Sequence, residues 1–291
     1  MSEQKKKANL LRGFLMLLIT SLVWGTTFPV SKQILVSMSP LEYIGLRFTF
    51  AIMPTFTLVL LKGKISSILP GTILGFAYFL GMFFQCWGIT YTTASNAGFI
   101  VGMSVIMVYI GETLFYQRRS SLVLSISVIS SIIGLYLLSC TEKFVLNFGD
   151  LLVLISAFFW AVQVMLVDRF SKKHDLLSLN FMQVIVPGVV GLFLSIILGG
   201  SHTTLFSKFI VFFPQLFYLA FVCSAFAMLL QLMGQKYITP TLATLILLME
   251  AVFSALFSRM LLMEYMSLRQ VIGASLITFS MTLASLSKMK S

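Results

Sequence analysis

The stretch GITYTTASNA at residues 88–97 recurs in the second half of the chain as GQKYITPTLA at residues 234–243. In this alignment, which we call the first register, a glycine, a tyrosine, a threonine and an alanine fall on the same residue types without a gap, and Gln85 falls on Gln231 just upstream. A second register, slightly shorter in spacing, places Trp24 on Trp160. Similarity at a fixed spacing indicates that a chain contains two copies of one structural unit. The sequence therefore predicts an internally duplicated fold.

The composition places this duplicated chain in a membrane. Of its 291 residues, 58% are hydrophobic and only 10% are charged, whereas about a quarter of an ordinary soluble domain is charged. A helix that crosses hydrocarbon needs roughly 20 apolar residues, and continuous apolar runs favour helices over the alternating strands of a membrane barrel. We predict an all-α integral membrane protein of about ten transmembrane helices, at residues 13–33, 41–61, 67–88, 96–116, 121–140, 150–168, 179–199, 210–232, 241–262 and 267–286.

The two copies contain five predicted helices each. Because five is an odd number, the second copy enters the membrane from the face opposite to the first, and the repeats are inverted. Inverted repeats place a solute site near the membrane midplane, where the two copies meet. The predicted division of the chain is a basic N-terminus at 1–12, a first five-helix repeat at 13–140, a second at 150–286 and a C-terminal segment at 287–291.

The basic residues indicate how the helices are oriented. Short loops rich in lysine and arginine stay in the cytoplasm, and a cytoplasmic N-terminus puts 14 of the 20 lysines and arginines on that side. We therefore expect a multi-pass protein of the cell (plasma) membrane with both termini in the cytoplasm. The net charge of +11 is scattered between apolar runs, which excludes the concentrated basic face that nucleic-acid binding requires.

Several segments resemble those of a known family in their order and spacing. These segments are WGTTF at 24–28, Arg47, YTTASNAGF at 91–99, DLLVLISAFFWA at 150–161, YITPTLA at 237–243, LMEAV at 248–252, Glu264 and Gly273. Over nearly its whole length the chain resembles the ten-helix, EamA-type members of the drug/metabolite transporter superfamily. The resemblance implies a secondary carrier that moves small organic metabolites, commonly amino acids or related amphipathic compounds, by alternating access.

Two features of this resemblance leave questions open. Members commonly carry a proline in the middle of the fourth and ninth helices, where this chain has Ser104 and Ala251, so the sequence gives no reason for a kink at either place. Export is the direction we expect, with proton coupling as an option and metabolite uptake as the alternative. From another class of protein, a non-transporting membrane scaffold or sensor also stays open.

Two charged residues lie deep in the predicted spans. An ionisable side chain inside hydrocarbon costs about 3 kcal/mol even on lenient insertion scales, so it indicates a functional site by default. We interpret Arg47 as binding a substrate carboxylate and Glu250 as exchanging a proton against substrate. The alternative is a structural ion pair or a water-exposed position. Glu112, near the cytoplasmic end of its span, is assigned to an interfacial ion pair with Arg118 and Arg119.

Uncharged polar and aromatic residues in the spans form a second set of candidates. Amides that face one cavity satisfy the polar ends of a zwitterionic solute, and aromatic rings cover its apolar body. The alternative for each is an interfacial anchor or a hydrogen bond between helices. With Arg47 and Glu250, the predicted substrate-binding residues are Trp24, Thr27, Tyr78, Gln85, Asn96, Phe99, Trp160, Gln163, Gln183 and Gln231.

The sequence contains none of the patterns typical of an enzyme, a metal site or a cofactor site. HExxH, GxSxG and P-loop motifs are absent, and the three cysteines stand singly within apolar runs. The predicted partners are a small-molecule substrate and the lipid bilayer, without nucleic acid. The oligomeric state, monomer or homodimer, stays open.

Overall fold

The computed structural model describes residues 3–62, 65–117, 121–139, 147–198, 202–262 and 267–290. Within these residues, ten helical segments are long and apolar enough to cross a membrane. We number them helix 1 to helix 10 in chain order. Each overlaps one of the ten predicted spans, so the prediction of an all-α membrane protein with ten crossings is confirmed.

Some of the ten spans are continuous helices and others are interrupted. The continuous ones are helix 2 at Pro40–Lys62, helix 3 at Ile68–Ile89, helix 5 at Leu122–Ser139, helix 6 at Phe148–Ser171, helix 7 at Leu176–Leu198 and helix 10 at Leu268–Lys290. The interrupted ones are helix 1 at Glu3–Gly25 and Thr27–Leu35, helix 4 at Ala94–Gly102 and Ser104–Tyr116, helix 8 at Phe213–Tyr218, Leu219–Phe226 and Ala227–Gln235, and helix 9 at Pro240–Leu247 and Met249–Leu262. A separate helix, His202–Val211, precedes helix 8.

Helix 1 is interrupted at Thr26 because a proline follows one turn later. Pro29 has no N–H to donate to the carbonyl of Gly25, and its ring clashes with that carbonyl. The backbone takes a tighter turn instead, in which the N–H of Thr26 donates to the carbonyl of Val23 at 3.2 Å. A second, short helix begins at Thr27.

Helices 4 and 9 are also interrupted, although neither carries a proline in its middle. The carbonyl of Met103 accepts a hydrogen bond from the N–H of Ile106 at 3.0 Å, and the carbonyl of Leu248 accepts one from Ala251 at 3.1 Å. Both bonds span three residues, as in a 3₁₀ turn, and such turns inside a helix often mark a hinge. Helices 4 and 9 are therefore interrupted even though neither has a central proline.

The ends of the helices follow the two registers of the internal repeat. In the second register, the first and last residues of helix 2, Pro40 and Lys62, fall on Leu176 and Leu198, which are the first and last residues of helix 7. In the first register, the start of helix 5 falls on the start of helix 10. Corresponding segments of the two copies thus form helices with matching bounds.

The close crossings of helices follow the same registers. Gly13 of helix 1 packs on Gly234 of helix 8, and their counterparts, Gly149 of helix 6 and Gly88 of helix 3, pack in the same way. A Cβ atom on Gly13 would lie 2.8 Å from the carbonyl oxygen of Gly234, and one on Gly149 would lie 2.6 Å from that of Gly88. The predicted inverted repeats are present.

Helices 2 and 7 cross on the pseudo-two-fold axis that relates the repeats. A Cβ atom on Gly45 would lie 2.5 Å from the backbone nitrogen of Leu192, and one on Gly191 would lie 2.8 Å from that of Gly45. Five residues further along helix 2 lies Phe50, and five residues back from Gly191 on helix 7 lies Val186. These two are counterparts in the second register, so the axis passes between them.

Ion pairs fix both ends of helix 2. Lys62 pairs with Asp175 at the end of the bundle that carries both termini, which we call the basic end. At the opposite, distal end, Lys208 donates to both carboxylate oxygens of Glu42 at 3.0 Å. Glu42 also accepts a hydrogen bond from the backbone N–H of Ser39 at 2.7 Å, which caps the first turn of helix 2. The position of helix 2 between its neighbours is thus held at each membrane face.

Candidate functional site

Arg47 lies in helix 2, three residues from the pseudo-two-fold axis, and is 1% exposed. Its Nε donates to Ser224 Oγ at 2.8 Å, and its Nη1 donates to Tyr43 Oη at 2.6 Å. Tyr43 Oη lies 2.6 Å from Ser31 Oγ, which extends the network to helix 1. A guanidinium has five N–H donors, and among the described residues only these two acceptors bind it. The remaining N–H groups have no acceptor among the described residues.

The serine that binds this guanidinium belongs to a π-helical turn of helix 8, Leu219–Phe226. π-Helical turns are rare and occur frequently at functional sites. The Nε1 of Trp24 donates to the carbonyl of Cys223 at 2.8 Å, and Asn180 Nδ2 donates to the carbonyl of Ala225 at 3.0 Å. Side chains from helices 1, 2 and 7 therefore converge on this turn.

Aromatic side chains form a wall beside the guanidinium. Cζ of Arg47 lies 5.4 Å from the centre of the Phe48 ring, which is within cation–π range. Tyr78 meets Phe48 edge-on at 5.4 Å and Trp160 edge-on at 4.8 Å between ring centroids. Trp160 Nε1 donates to Gln85 Oε1 at 2.8 Å. Direct contacts thus join four of the predicted site residues in one cluster.

Glu250 follows the interruption of helix 9 and belongs to the same site. Its charge lies within electrostatic range of Arg47 and of Tyr78. No described residue makes a hydrogen bond or an ion pair with its carboxylate, and the side chain is partly accessible. The direct ion pair that we considered as a structural alternative is therefore not formed. The Glu250 backbone packs on the break in helix 1, where a Cβ atom on Gly25 would lie 3.2 Å from its carbonyl oxygen.

The half of the site nearer the basic end is sealed. Gln163 and Gln231, both buried, form a reciprocal pair of amide hydrogen bonds at 3.1 and 3.2 Å. The first part of helix 9, Pro240–Leu247, is buried throughout. Between this seal and the distal end, four site residues are partly accessible: Trp24, Gln85, Trp160 and Glu250. The accessible part of the site therefore lies between the seal and the distal end.

Glu112 contributes to the seal. It is 6% exposed, and its Oε2 accepts a hydrogen bond from the backbone N–H of Thr241 at 2.9 Å, at the start of helix 9. The two arginines assigned to it, Arg118 and Arg119, lie outside the described residues. The structure thus gives Glu112 a partner on helix 9 that its position near the end of a span did not suggest.

Four further predicted site residues, Thr27, Asn96, Phe99 and Gln183, lie in other surroundings. Thr27 Oγ1 is buried without a partner in the first turn after the break in helix 1. The backbone N–H of Asn96 donates to the helix cap, and the ring of Phe99 packs on Tyr136 at 5.8 Å. Gln183 is fully buried, and neither of its amide atoms has a partner.

Four residues of the network were not predicted: Ser31, Tyr43, Phe48 and Ser224. Tyr43 precedes Arg47 by one helical turn, so a search for partners at helical spacing would have found it. Phe48 follows Arg47 directly, and such a search would have passed over it. Ser224 lies 177 residues further along the chain, and no local pattern distinguishes it from other serines in apolar spans. Only the packing of helix 8 on helix 2 identifies it.

The fold and the site together define a class of protein. It is an integral membrane protein of two inverted five-helix repeats, with a polar, aromatic-walled candidate site where the repeats meet. One solved crystal structure superimposes on the chain with a TM-score of 0.79, over 96% of this chain and 99% of that one, at 16% sequence identity. At this identity, the likeness shows that the two proteins share a fold.

Sequence comparison identifies the family. The EamA-like transporter family matches residues 11–140 and again residues 147–286, one match for each repeat. An "uncharacterized transporter" of Archaeoglobus fulgidus is 34% identical over 270 residues, which are 93% of this chain and 84% of that protein. Another, of Methanothermobacter thermautotrophicus, is 30% identical over 118 residues, or 38% of this chain and 34% of that protein. The chain belongs to the EamA-like transporter family and is a multi-pass membrane transporter.

Proposed function

We propose that this transporter is a secondary carrier of small zwitterionic metabolites, amino acids above all, and that it works by alternating access. The observation that carries the proposal is the presence, in one site, of a buried guanidinium with unbonded N–H groups and of a carboxylate without a protein partner. An unpaired charge in a low-dielectric site is costly. A solute that brings a carboxylate to Arg47 and an ammonium group to Glu250 removes both costs at once.

The aromatic wall favours solutes with an apolar body. Phe48, Tyr78 and Trp160 are in ring-to-ring contact beside Arg47, and aromatic surfaces of this kind bind the uncharged part of a small ligand. Gln85, held by Trp160, adds a polar group at the edge of the wall. This combination supports amphipathic amino acids over inorganic ions or strongly polar solutes.

The direction and the coupling form a further part of the proposal. Both termini lie in the cytoplasm of a plasma-membrane protein, because the basic end then carries the lysine-rich and arginine-rich loops. The distal end, toward which the accessible part of the site lies, then faces outward. Transport is export, with metabolite uptake as the alternative, and Glu250 takes up a proton from outside when the solute leaves.

A counterflow assay tests the carrier itself. Purified protein is reconstituted into liposomes loaded with one unlabelled L-amino acid, and entry of the same labelled amino acid is followed for each of the twenty proteinogenic types. A carrier exchanges label for unlabelled solute without any ion gradient. If folded protein, verified by its melting transition, gives no exchange with any of the twenty, the proposal is wrong.

Replacement of Arg47 tests the carboxylate site. Arg47→Gln removes a charge-assisted hydrogen bond, which typically contributes about 1.5–3 kcal/mol. We expect amino acids to compete at least about tenfold less well, while their decarboxylated amines compete as before. Arg169→Gln, at the basic end of helix 6 and outside the site, is the matched control. An equal loss for acids and amines would mean that Arg47 is structural.

Replacement of Glu250 tests proton coupling separately. Glu250→Gln keeps the shape of the side chain but cannot exchange a proton. We expect a pH gradient to drive net flux in the unsubstituted protein and not in the variant, while gradient-free counterflow persists in both. Gradient-driven flux in the variant would show that another group couples the proton.

A further inference from the structure

Gln183 is the counterpart of Arg47 in the second repeat. The ends of helix 2 fall on the ends of helix 7 in the second register, and the same register carries Arg47 onto Gln183. Each lies three residues from the point where the axis passes between helices 2 and 7, which corresponds to about 4.5 Å of helix rise. Arg47 is on the distal side of the axis and Gln183 is on the basic side.

The surroundings of Gln183 indicate that it faces the centre of the bundle. Asn180, one turn earlier on the same face of helix 7, donates to the carbonyl of Ala225 in the π-helical turn of helix 8. Arg47 donates to Ser224, the preceding residue of that turn. Arg47 from helix 2 and Asn180, one turn from Gln183 on helix 7, thus bind the same π-helical turn.

The amide of Gln183 has no partner within the protein. The residue is 0% exposed, and neither Oε1 nor Nε2 makes a hydrogen bond. A buried amide that lacks both partners is destabilising, so a side chain that served only to pack helix 7 would be better apolar. The unpaired amide therefore points to a ligand that binds Gln183 in another conformation of the protein.

We propose that Gln183 binds the carboxylate of the solute when the site opens to the basic end, in the role that Arg47 has when it opens to the distal end. This inference rests on the proposed transport of zwitterions by alternating access. If the inverted repeats exchange conformations, Gln183 takes the surroundings that Arg47 has here. The carboxylate then passes from a charged donor to a neutral amide N–H.

The exchange of donors predicts a difference in affinity between the two sides. Hydrogen bonds from a charged donor are roughly twice as strong as those from a neutral one. We therefore expect amino acids to bind about tenfold more tightly from the distal side than from the basic side. Decarboxylated amines, which do not use either donor, show no such difference.

The test measures half-saturating concentrations on each side of uniformly oriented proteoliposomes, with the amino acid that gives the strongest counterflow. Gln183→Leu removes the amide at nearly constant volume. It should weaken binding about tenfold on the basic side and leave the distal side unchanged. Gln215→Leu is the matched control, because Gln215 Oε1 is also buried without a partner but has no arginine as its counterpart.

A second variant keeps the proposal testable if a single substitution disturbs folding. In the exchange variant Arg47→Gln with Gln183→Arg, the charged donor moves to the other repeat, and the tighter side should become the basic side. If Gln183→Leu alters both sides equally or neither side while counterflow persists, Gln183 does not bind the carboxylate. Absence of counterflow in the unsubstituted protein would instead overturn the proposed function, so the two failures are distinguishable.

Discussion

Trp24 and Trp160 occupy equivalent positions in the two repeats but make different hydrogen bonds. Trp24 Nε1 donates to the backbone carbonyl of Cys223, whereas Trp160 Nε1 donates to the side chain of Gln85, each at 2.8 Å. The two equivalent tryptophans thus lie in different surroundings. The repeats share a fold, and their conformations differ.

The difference has its origin in the reciprocal amide pair at the basic end. Gln231 is the counterpart of Gln85, but its amide is bonded to Gln163. The counterpart of Gln163 is Thr27, whose Oγ1 is buried without a partner. If the repeats exchange conformations, Thr27 and Gln85 meet at the distal end while the glutamine pair at the basic end separates.

The first prediction concerns this seal. Gln163→Leu removes both hydrogen bonds of the pair, each of which contributes about 0.6 kcal/mol on average, and should increase opening at the basic end roughly eightfold. Thr27→Val should have the opposite effect, because it removes the expected partner of Gln85 in the exchanged state. The measurement is the rate of maleimide labelling of Thr244→Cys, a buried position in the first part of helix 9, in a background without other cysteines. Equal rates in all variants would show that the pair does not act as a seal.

The second prediction concerns the crossing of helices 2 and 7. A Cβ atom at Gly45 would lie 2.5 Å from backbone of helix 7, which cannot move aside as a flexible side chain does, so Gly45→Ala should lower the free energy of unfolding by about 1–3 kcal/mol. Gly98 of helix 4 has nothing within 4 Å of its Cβ position. Gly98→Ala should therefore be neutral or stabilising by up to about 1 kcal/mol, from helix propensity alone. Melting in detergent distinguishes the two, and equal shifts would contradict the close approach.

The third prediction concerns the residues that position Arg47. Ser224→Ala leaves Nε of the guanidinium without an acceptor in a buried site, which costs about 1–3 kcal/mol. We expect weaker binding of amino acids, with little change for their decarboxylated amines, because the guanidinium loses its orientation. Ser195→Ala is the control, since Ser195 bonds only to a carbonyl of its own helix. A loss of thermal stability without this selectivity would assign Ser224 to folding alone.

The fourth prediction concerns pH and the ion pair at the basic end. Burial raises the pKa of the Asp175 carboxyl, but hydrogen bonds from Lys62 and from Ser178 outweigh this effect, so the net pKa lies below its ordinary value. A lowered pKa in the folded state contributes stability that is present above the ordinary pKa of about 3.9 and is lost as the pH falls through the folded value. Because Lys62 is half exposed, the contribution should be under about 1 kcal/mol.

Asp175→Asn tests this pH dependence. The variant should unfold at a slightly lower temperature than the unsubstituted protein at neutral pH, and the gap should close as the pH falls below about 4. High salt should narrow the gap at neutral pH, because an exposed ion pair is screened. A gap that stays constant between neutral pH and pH 3 would mean that the charge of Asp175 is not what stabilises the basic end.

Much of the fold was predictable because it depends on local properties of the sequence. The ten spans follow from apolar length, which the membrane imposes on each helix separately. The duplication was visible because Gly88 recurs as Gly234 in the first register and Trp24 recurs as Trp160 in the second. Arg47 and Glu250 were identified because a charge inside hydrocarbon is rare whatever surrounds it.

The arrangement of the site was not predictable in the same way. The π-helical turn at Leu219–Phe226 has the same apolar and small residues as a regular helix, and it is stabilised by contacts from helices 1, 2 and 7. The sequence has no proline that would predict the 3₁₀ turns at Met103 and Leu248. Gln163 and Gln183 are both glutamines in apolar spans, yet one is fully paired and the other has no partner.

The sequence alone determined that the chain crosses a membrane ten times in two inverted copies, because hydrophobic length and internal similarity are properties of each segment. Only the tertiary structure decided which polar groups meet, since Arg47 and Ser224 are 177 residues apart and their contact depends on how helices 2 and 8 pack. It also decided that the copies differ in conformation, because a buried amide forms its hydrogen bonds with whatever neighbour the packing provides.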